Sequence, residues 1–427
     1  MKNVICIPTY RRPQVINELL KRCFDSYVKH GFDVYIYDSS DDDYTKNIVE
    51  EFENKIEEGL YYVKLDSSIH SNIKVFMIYE EMSKKKQYEY IWVCSDALRW
   101  IDEALDIVCN ELHSDYDVVV PNYRDVESLG RRDYDDILEF FRDCAWHMTL
   151  YGGAILKISK MLYEVDWNYL RGKYCVEPSI SFSHVGLYFE QLIKIEGFKG
   201  LHLGMSKNLM VTSPYRTESG WRKNTFYIMC ESWESVIVNL PEKYKKYKKY
   251  VILQHSKNSG ILNKDGLIKL RKEKILRYSS VKKYIFSWRK YSSTPRLLLI
   301  FLIFLPHNWA DFFSDKHKRE VRIKNKLKKF AYKFEKIFIY GCGMYGGIYS
   351  DFLDDLHIRY EGFLVSEGYL FDEVFRNHEV IEVNEELKDN EKIGVILALN
   401  EDNRKEVIDK VFNGDTSRVF FCNNDFV

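Results

Sequence analysis

None of the nine cysteines stands in a Cys-x-x-Cys pair. No apolar signal core follows the first residues, no repeat or low-complexity tract occurs, and charge of neither sign predominates. The cysteine pattern reads as reduced thiols in a cytosolic chain. The opening MKNVICIPTYRRP lacks an apolar stretch followed by a cleavage site, which argues against export. A formal net charge of -1 is not the excess of Lys and Arg expected of a nucleic-acid binder. The longest apolar run, Leu297 to Leu305, falls far short of the roughly 20 residues that span a bilayer.

What is there is a chain of 427 residues with 46% hydrophobic and 30% charged residues. That size suits two to three domains of about 100–200 residues each. Most of the 32 Tyr and 26 Phe belong in cores, with some left over for stacking on bases or sugars.

The first part alternates between strand and helix patterns. Strands are predicted at Val4 to Ile7, Asp33 to Tyr37, Tyr61 to Leu65, Tyr90 to Cys94 and Asp117 to Val120. Helices are predicted at 14–29, 44–57, 73–82 and 101–112. This rhythm predicts a largely parallel sheet covered on both faces. Beyond Asp125 it gives way to an Arg/Asp-rich stretch through Asp136, an apolar segment from Leu150 to Ile158, and an aromatic helix from Gly186 to Glu196 that stops at Gly197. Residues 226–333 read as a helical, Lys/Tyr-rich extension. A second α/β unit, 334–427, opens with the strand Lys336 to Tyr340 and the turn GCGMYGG.

In a parallel α/β sheet, ligands sit at the carboxyl ends of the strands. Three such ends carry polar sets: Pro8-Thr9-Tyr10-Arg11-Arg12-Pro13, Asp38-Ser39-Ser40-Asp41, and Ser95-Asp96. Carboxylates near a diphosphate make sense mainly with a divalent cation between them. The plainer explanation for any one of these acids is a turn cap. Their recurrence at successive strand ends favours a shared site.

Cys6-Ile-Pro-Thr-Tyr-Arg-Arg-Pro, Tyr37-Asp-Ser-Ser-Asp and Tyr90-Ile-Trp-Val-Cys-Ser-Asp96 together resemble the family 2 glycosyltransferases of the GT-A fold, over about the first half of the chain. The resemblance implies a nucleoside-diphosphate sugar donor, a UDP-sugar, an inverting transfer, and Mn²⁺ or Mg²⁺ held by an Asp-x-Asp type motif. It implies that Pro8, Thr9, Tyr10, Arg12, Asp38, Ser95 and Asp96 bind the donor, with Asp96 the metal ligand. Only one acid stands where the family usually has two. The family's general base belongs to a Glu-Asp pair opening a helix that ends in glycine. Alignment on Gly197 puts that pair at Val185-Gly186, where no acid stands, so His184 and Glu190 are the candidate bases. Gly152, Gly153 and Trp221 resemble sugar- and acceptor-contacting features of polysaccharide-assembly members. A packed strand and a buried indole explain them equally well.

Arg296 to Phe313 combines an apolar core with Trp309 and two phenylalanines before a basic stretch, a pattern suited to an anionic membrane surface or to a core helix. Gly341, Gly343 and Gly346 follow a strand and open a helix, the context of a dinucleotide fingerprint, with Glu367 placed for a ribose.

The expectation is therefore an α/β chain in three parts: a GT-A domain at 1–225, a helical extension at 226–333 and a small Rossmann-like domain at 334–427. The function expected is transfer of a sugar from a UDP-sugar donor to a glycan or lipid-linked acceptor in surface-polysaccharide or glycoconjugate assembly. The place expected is the cytoplasm, including the inner face of the cell membrane. The alternatives are a catalytically reduced nucleotide-sugar-binding scaffold and an NAD-dependent oxidoreductase built on the C-terminal glycines.

Overall fold

The computed structural model describes residues 2–53, 59–122, 130–204, 210–213, 215, 220–368, 373–384, 390–399 and 401–421. Part of the Arg/Asp-rich stretch (123–129) and the end of the second predicted helix (54–57) lie outside them. The chain is α/β and divides into two compact units, Met1–Leu305 and Pro306–Val427.

The first unit begins β1 (Lys2–Thr9), α1 (Pro13–Lys29), β2 (Phe32–Asp38), α2 (Tyr44–Glu53), β3 (Leu60–Lys64), α3 (Ser71–Met82) and β4 (Tyr88–Val93). Every residue of β2 is buried, as expected of a strand covered on both faces, and its apolar run is what made it readable. Pro13 sets the first turn of α1 without sacrificing a hydrogen bond. Its Val15, Ile16, Leu19, Leu20, Cys23, Phe24 and Tyr27 form the buried stripe of an amphipathic helix.

Next come β5 (Leu98–Trp100), α4 (Asp102–Leu112), β6 (Val118–Asn122), β7 (Arg132–Tyr134), α5 (Ile137–Cys144), β8 (Ile155–Lys157), α6 (Ile158–Met161), α7 (Trp167–Tyr174), α8 (Ser183–Leu192), β9 (Gly200–Gly204) and β10 (Met210–Thr212). The main sheet has the order β3-β2-β1-β4-β8-β6-β9-β7, and β5 pairs with β10 in a small second sheet. It is parallel-rich rather than uniformly parallel. β8 runs antiparallel to both β4 and β6, and β7 antiparallel to β9. The apolar segment from Leu150 supplies β8, which enters from the carboxyl side of its neighbours and so needs no crossover. The predicted aromatic helix is α8, which starts three residues earlier than expected and ends at Leu192.

The helices between residues 226 and 305 pack on α8 and the turn before it. Tyr244 Oη donates to the carbonyl of Phe189 in α8 at 3.0 Å, Ser235 and Ser179 share a hydrogen bond of 2.7 Å, and Trp233 is fully buried. These contacts make 226–305 part of the first unit. The stretch expected as one extension, 226–333, is thus divided at residue 305. The segment from Arg296 is likewise split into the helix Arg296–Phe304 and the 3-10 helix His307–Phe313 of the second unit.

The second unit contains the helix Asp315–Ala331 and a six-stranded sheet built from β11 (Lys336–Tyr340), β12 (Gly362–Val365), β13 (Val374–Phe375), β14 (His378–Glu382), β15 (Ile393–Leu397) and β16 (Val419–Phe420), in the order β13-β14-β12-β11-β15-β16. Only β13 is antiparallel to its neighbour. No helix among the described residues is long and apolar enough to cross a membrane.

Candidate functional site

In the first unit the chain leaves β1 toward β2 and β3, then crosses to β4 on the other side of β1. Where the strand order reverses in this way, between β1 and β4, open α/β sheets bind their ligands, in the crevice at the carboxyl ends of the strands. The sequence places Thr9, Tyr10, Arg11 and Arg12 at one lip and Ser95 and Asp96 at the other.

Asp96 is 3% exposed and joins the two lips. Its Oδ2 accepts from Thr9 Oγ1 at 3.0 Å, and its Oδ1 accepts from Arg12 Nη1 at 2.9 Å. The backbone of Asp96 is held separately. Arg99, on β5, donates from Nη1 to the carbonyl of Asp96 at 2.5 Å and from Nη2 to the carbonyl of Val15 at 2.7 Å. Its guanidinium pairs with buried Glu18 of α1 at 2.7 Å. Ser95 Oγ accepts from the amide of Ala97 at 3.3 Å, so Ser95 shapes the turn.

A further cation in this neighbourhood is Lys74, on α3, which no strand-end motif marks in the sequence. It is 3% exposed, and its ammonium donates to the carbonyl of Thr9 at 2.8 Å. An ammonium has three donors, and this is the one hydrogen bond found for it among the described residues. Burial pushes its pKa down to about 8, against the pull of Asp38 and Asp96. Lys74, Ile78 and Met82 are all buried on α3, four residues apart, so this lysine occupies a core-facing position of the helix.

Asp38 lies at the end of β2, fully buried. Its Oδ1 accepts from the amide and hydroxyl of Ser40 at 2.8 and 2.5 Å, and its Oδ2 from Tyr62 Oη at 3.0 Å. Ser40 Oγ in turn accepts from the amide of Arg11 at 2.7 Å. Asp38 is therefore a turn-fixing group that holds the β1 lip through Ser40. The Arg11 guanidinium pairs with Asp41 and stands 5.2 Å from the centre of the exposed Tyr10 ring. Pro8 is a half-buried member of β1.

The glycine pair sits at the carboxyl end of β4. The amide of Gly152 donates to the carbonyl of Val93 at 2.6 Å, and its carbonyl accepts from Trp92 Nε1 at 3.0 Å. Its φ of +97° favours glycine. A Cβ on Gly153 would lie 2.2 Å from the carbonyl oxygen of His147. Both glycines are accounted for by this turn. Beside it, Tyr151 Oη donates to Asn72 Oδ1 at the start of α3, at 2.6 Å.

Neither candidate base shares a hydrogen bond with the strand-end cluster among the described residues. His184 is 1% exposed, packed between Tyr151 and Tyr188. The backbone of Met148 and Thr149 lies near its ring, but neither nitrogen makes a hydrogen bond of ordinary geometry. Burial pushes its pKa down to about 4, so it is neutral at pH 7. Glu190 lies about 9 Å further along α8 at the helical rise. There its Oε1 accepts from Lys173 Nζ and Tyr174 Oη, both at 2.7 Å. Trp221 is half exposed on a short 3-10 helix, with no hydrogen bond or ring contact to the strand-end cluster among the described residues.

Donor chemistry limits what metal the crevice could hold. Among the described residues no three His, Cys, Asp or Glu side chains gather, and Asp96 is the carboxylate that Thr9 and Arg12 of the β1 lip reach. That fits Mg²⁺ or Mn²⁺ only where a diphosphate and water complete the coordination.

In the second unit, Gly341 has φ +104°, and a Cβ on Gly346 would lie 2.1 Å from the carbonyl oxygen of Gly341. Gly343 has open space where a Cβ would point. The turn opens the helix Met344–Asp355, and Glu367 is exposed just beyond β12.

No family model matches the chain, nor does any curated protein. Among solved structures it is similar to TarS 1–349 of S. aureus, at 14% identity and a TM-score of 0.39, over 77% of this chain and 92% of that one. It is also similar to the mannosyltransferase PcManGT of Pyrobaculum calidifontis, solved with GDP-Man and Mn²⁺, at 15% identity and a TM-score of 0.41, over 70% and 85%. A third is glucosyl-3-phosphoglycerate synthase of Mycobacterium tuberculosis, at 11% identity and a TM-score of 0.34, over 56% and 81%.

Proposed function

We propose that the first unit is a glycosyltransferase that takes a sugar from a nucleoside-diphosphate donor and passes it to a glycan or lipid-linked acceptor. The observation that carries this reading is the convergence of Arg12, Lys74 and Asp96 at the crevice between β1 and β4. A leaving diphosphate needs positive charge fixed in a largely dehydrated site, where it acts more strongly than in water. Lys74 has donors to spare there, and Arg12 is partly exposed. In the resting chain Asp96 holds Arg12 in place. Donor binding would transfer the guanidinium to a phosphate and free an Asp96 oxygen.

That oxygen is the group that would hold Mn²⁺ or Mg²⁺, and a bound cation would supply further neutralisation of the leaving diphosphate. Thr9 keeps the other oxygen oriented. Asp38 acts on the donor through Ser40 and the β1 lip. A UDP-sugar donor, an inverting course and a place in surface-polysaccharide or glycoconjugate assembly are what the resemblance of the strand-end motifs adds, and we propose them on that ground.

A second reading, a nucleotide-sugar-binding protein with reduced catalysis, is favoured by the burial of His184 and the engagement of Glu190. The experiment that separates the two measures UDP release from a panel of UDP-sugars with Mn²⁺, Mg²⁺ or EDTA, beside donor binding by calorimetry. Release supports the transferase. Binding without release, acceptor present, supports the second reading, and absence of both removes the donor site altogether.

A further inference from the structure

The helix Arg296–Phe304 is apolar on all sides, yet only part of it is covered. Leu299, Leu302 and Ile303 are buried against the first unit, while Leu297 is 81% and Phe304 73% exposed. These two stand seven residues apart, on one face of a helix. Phe286, shortly before, is 90% exposed.

The helix is held at both ends. On its N-terminal side, Ser292 Oγ and Thr294 Oγ1 donate to the carbonyl of Leu262 at 2.7 and 3.0 Å, and Trp288 Nε1 donates to the carbonyl of Thr294 at 2.9 Å. On its C-terminal side, Arg271 Nε donates to the carbonyl of Leu305 at 2.6 Å. The exposed stripe therefore belongs to a fixed element.

The segment that carries it has charge of one sign. From 274 to 305 the sequence has seven Lys and Arg and no Asp or Glu. Lys283 and Lys290 pair with Glu231 and Glu234. Lys274, Arg277, Lys282, Arg289 and Arg296 are exposed, and no carboxylate partner for them is found among the described residues. A covering protein surface would need acidic groups to match this segment. A leaflet of anionic lipid supplies that charge and an apolar layer to receive the aromatic side chains. At about 13 Å, the helix can lie in such an interface and cannot cross it.

We propose that the stripe of Leu297 and Phe304, with Phe286 beside it, docks the chain on the surface of an anionic membrane, in the plane of the headgroups. This surface stands independently of any transferase activity.

The test is flotation of the full chain with vesicles of phosphatidylcholine alone and of phosphatidylcholine mixed with phosphatidylglycerol. One variant carries Leu297→Gln with Phe304→Gln, and another carries Lys282→Gln with Arg289→Gln. All four positions are exposed, and unchanged melting curves check the fold. The expected result is flotation with the anionic vesicles only, weakened by salt and reduced roughly tenfold or more in each variant. No flotation with anionic vesicles would overturn the proposal, as would flotation that the apolar variant leaves intact. A dimer in size-exclusion chromatography that the apolar variant renders monomeric would also overturn it, assigning the stripe to a second copy of the chain.

Discussion

Arg99 and Glu18 form a buried ion pair at 2.7 Å, and the same guanidinium holds the carbonyls of Asp96 and Val15. One side chain thus locks the β4 lip of the crevice to the first turn of α1. Removing one partner of a buried pair strands the other charge and costs about 3–5 kcal/mol. Glu18→Ala should lower the urea midpoint accordingly. The milder Glu18→Gln, which keeps a hydrogen-bond acceptor, should recover part of the loss. A midpoint unchanged in Glu18→Ala would show that the pair does not hold the lip.

Lys74 yields two predictions of opposite sign. Its folded pKa of about 8 lies below the roughly 10.4 of an unfolded lysine. Folding therefore disfavours its charged form, and the cost is complete below about pH 8 and relieved as pH rises toward the unfolded value. Lys74→Met should be more stable than wild type at pH 7, with the gap closing in alkaline buffer. The same variant should bind donor more weakly. In the wild type, donor affinity should fall as pH climbs past 8, by up to roughly tenfold per unit, while Lys74→Arg should remove that decline. Affinity flat with pH in the wild type would take Lys74 out of the donor site.

If His184 is a packing group, His184→Phe should be tolerated. A ring of similar size between Tyr151 and Tyr188 should cost less than about 1.5 kcal/mol, and UDP release should remain within a few-fold of wild type. Loss of release with the melting temperature preserved would restore His184 as a base.

In the second unit the glycine turn makes a steric prediction. Gly346→Ala would press a methyl group onto the carbonyl of Gly341 and should destabilise that unit by about 1–3 kcal/mol. Gly343→Ala, with open space around it, should be close to neutral in the free chain. Calorimetric melting of both variants checks the pair, and equal effects would contradict the packing described for the turn.

The strands β1, β2 and β4 and helix α1 are legible in the sequence because burial on both faces of a sheet, or on one face of a helix, writes long apolar patterns into it. β5, β7, β8 and β10 have three residues each, too few to carry a period, so the reversed direction of β8 and the small second sheet are not readable. Thr9, Arg12 and Asp96 stand out by their places at strand ends, and the structure brings them together. Asp38 stands out in the same way, but its part is local, since Ser40 and Tyr62 take up its oxygens. Lys74 escapes a search of strand ends although a signal is present: it occupies the i position of an i, i+4, i+8 stripe completed by Ile78 and Met82. Arg99 sits between Leu98 and Trp100 in a strand too short to suggest that its side chain turns inward.

The most direct test of the donor site is metal-dependent UDP release by the wild-type chain and by Asp96→Ala. If Asp96 orients Arg12 and holds the cation, the substitution lowers release roughly 100-fold or more, with the fold intact by circular dichroism. Release by Asp96→Ala at the wild-type rate would contradict that role.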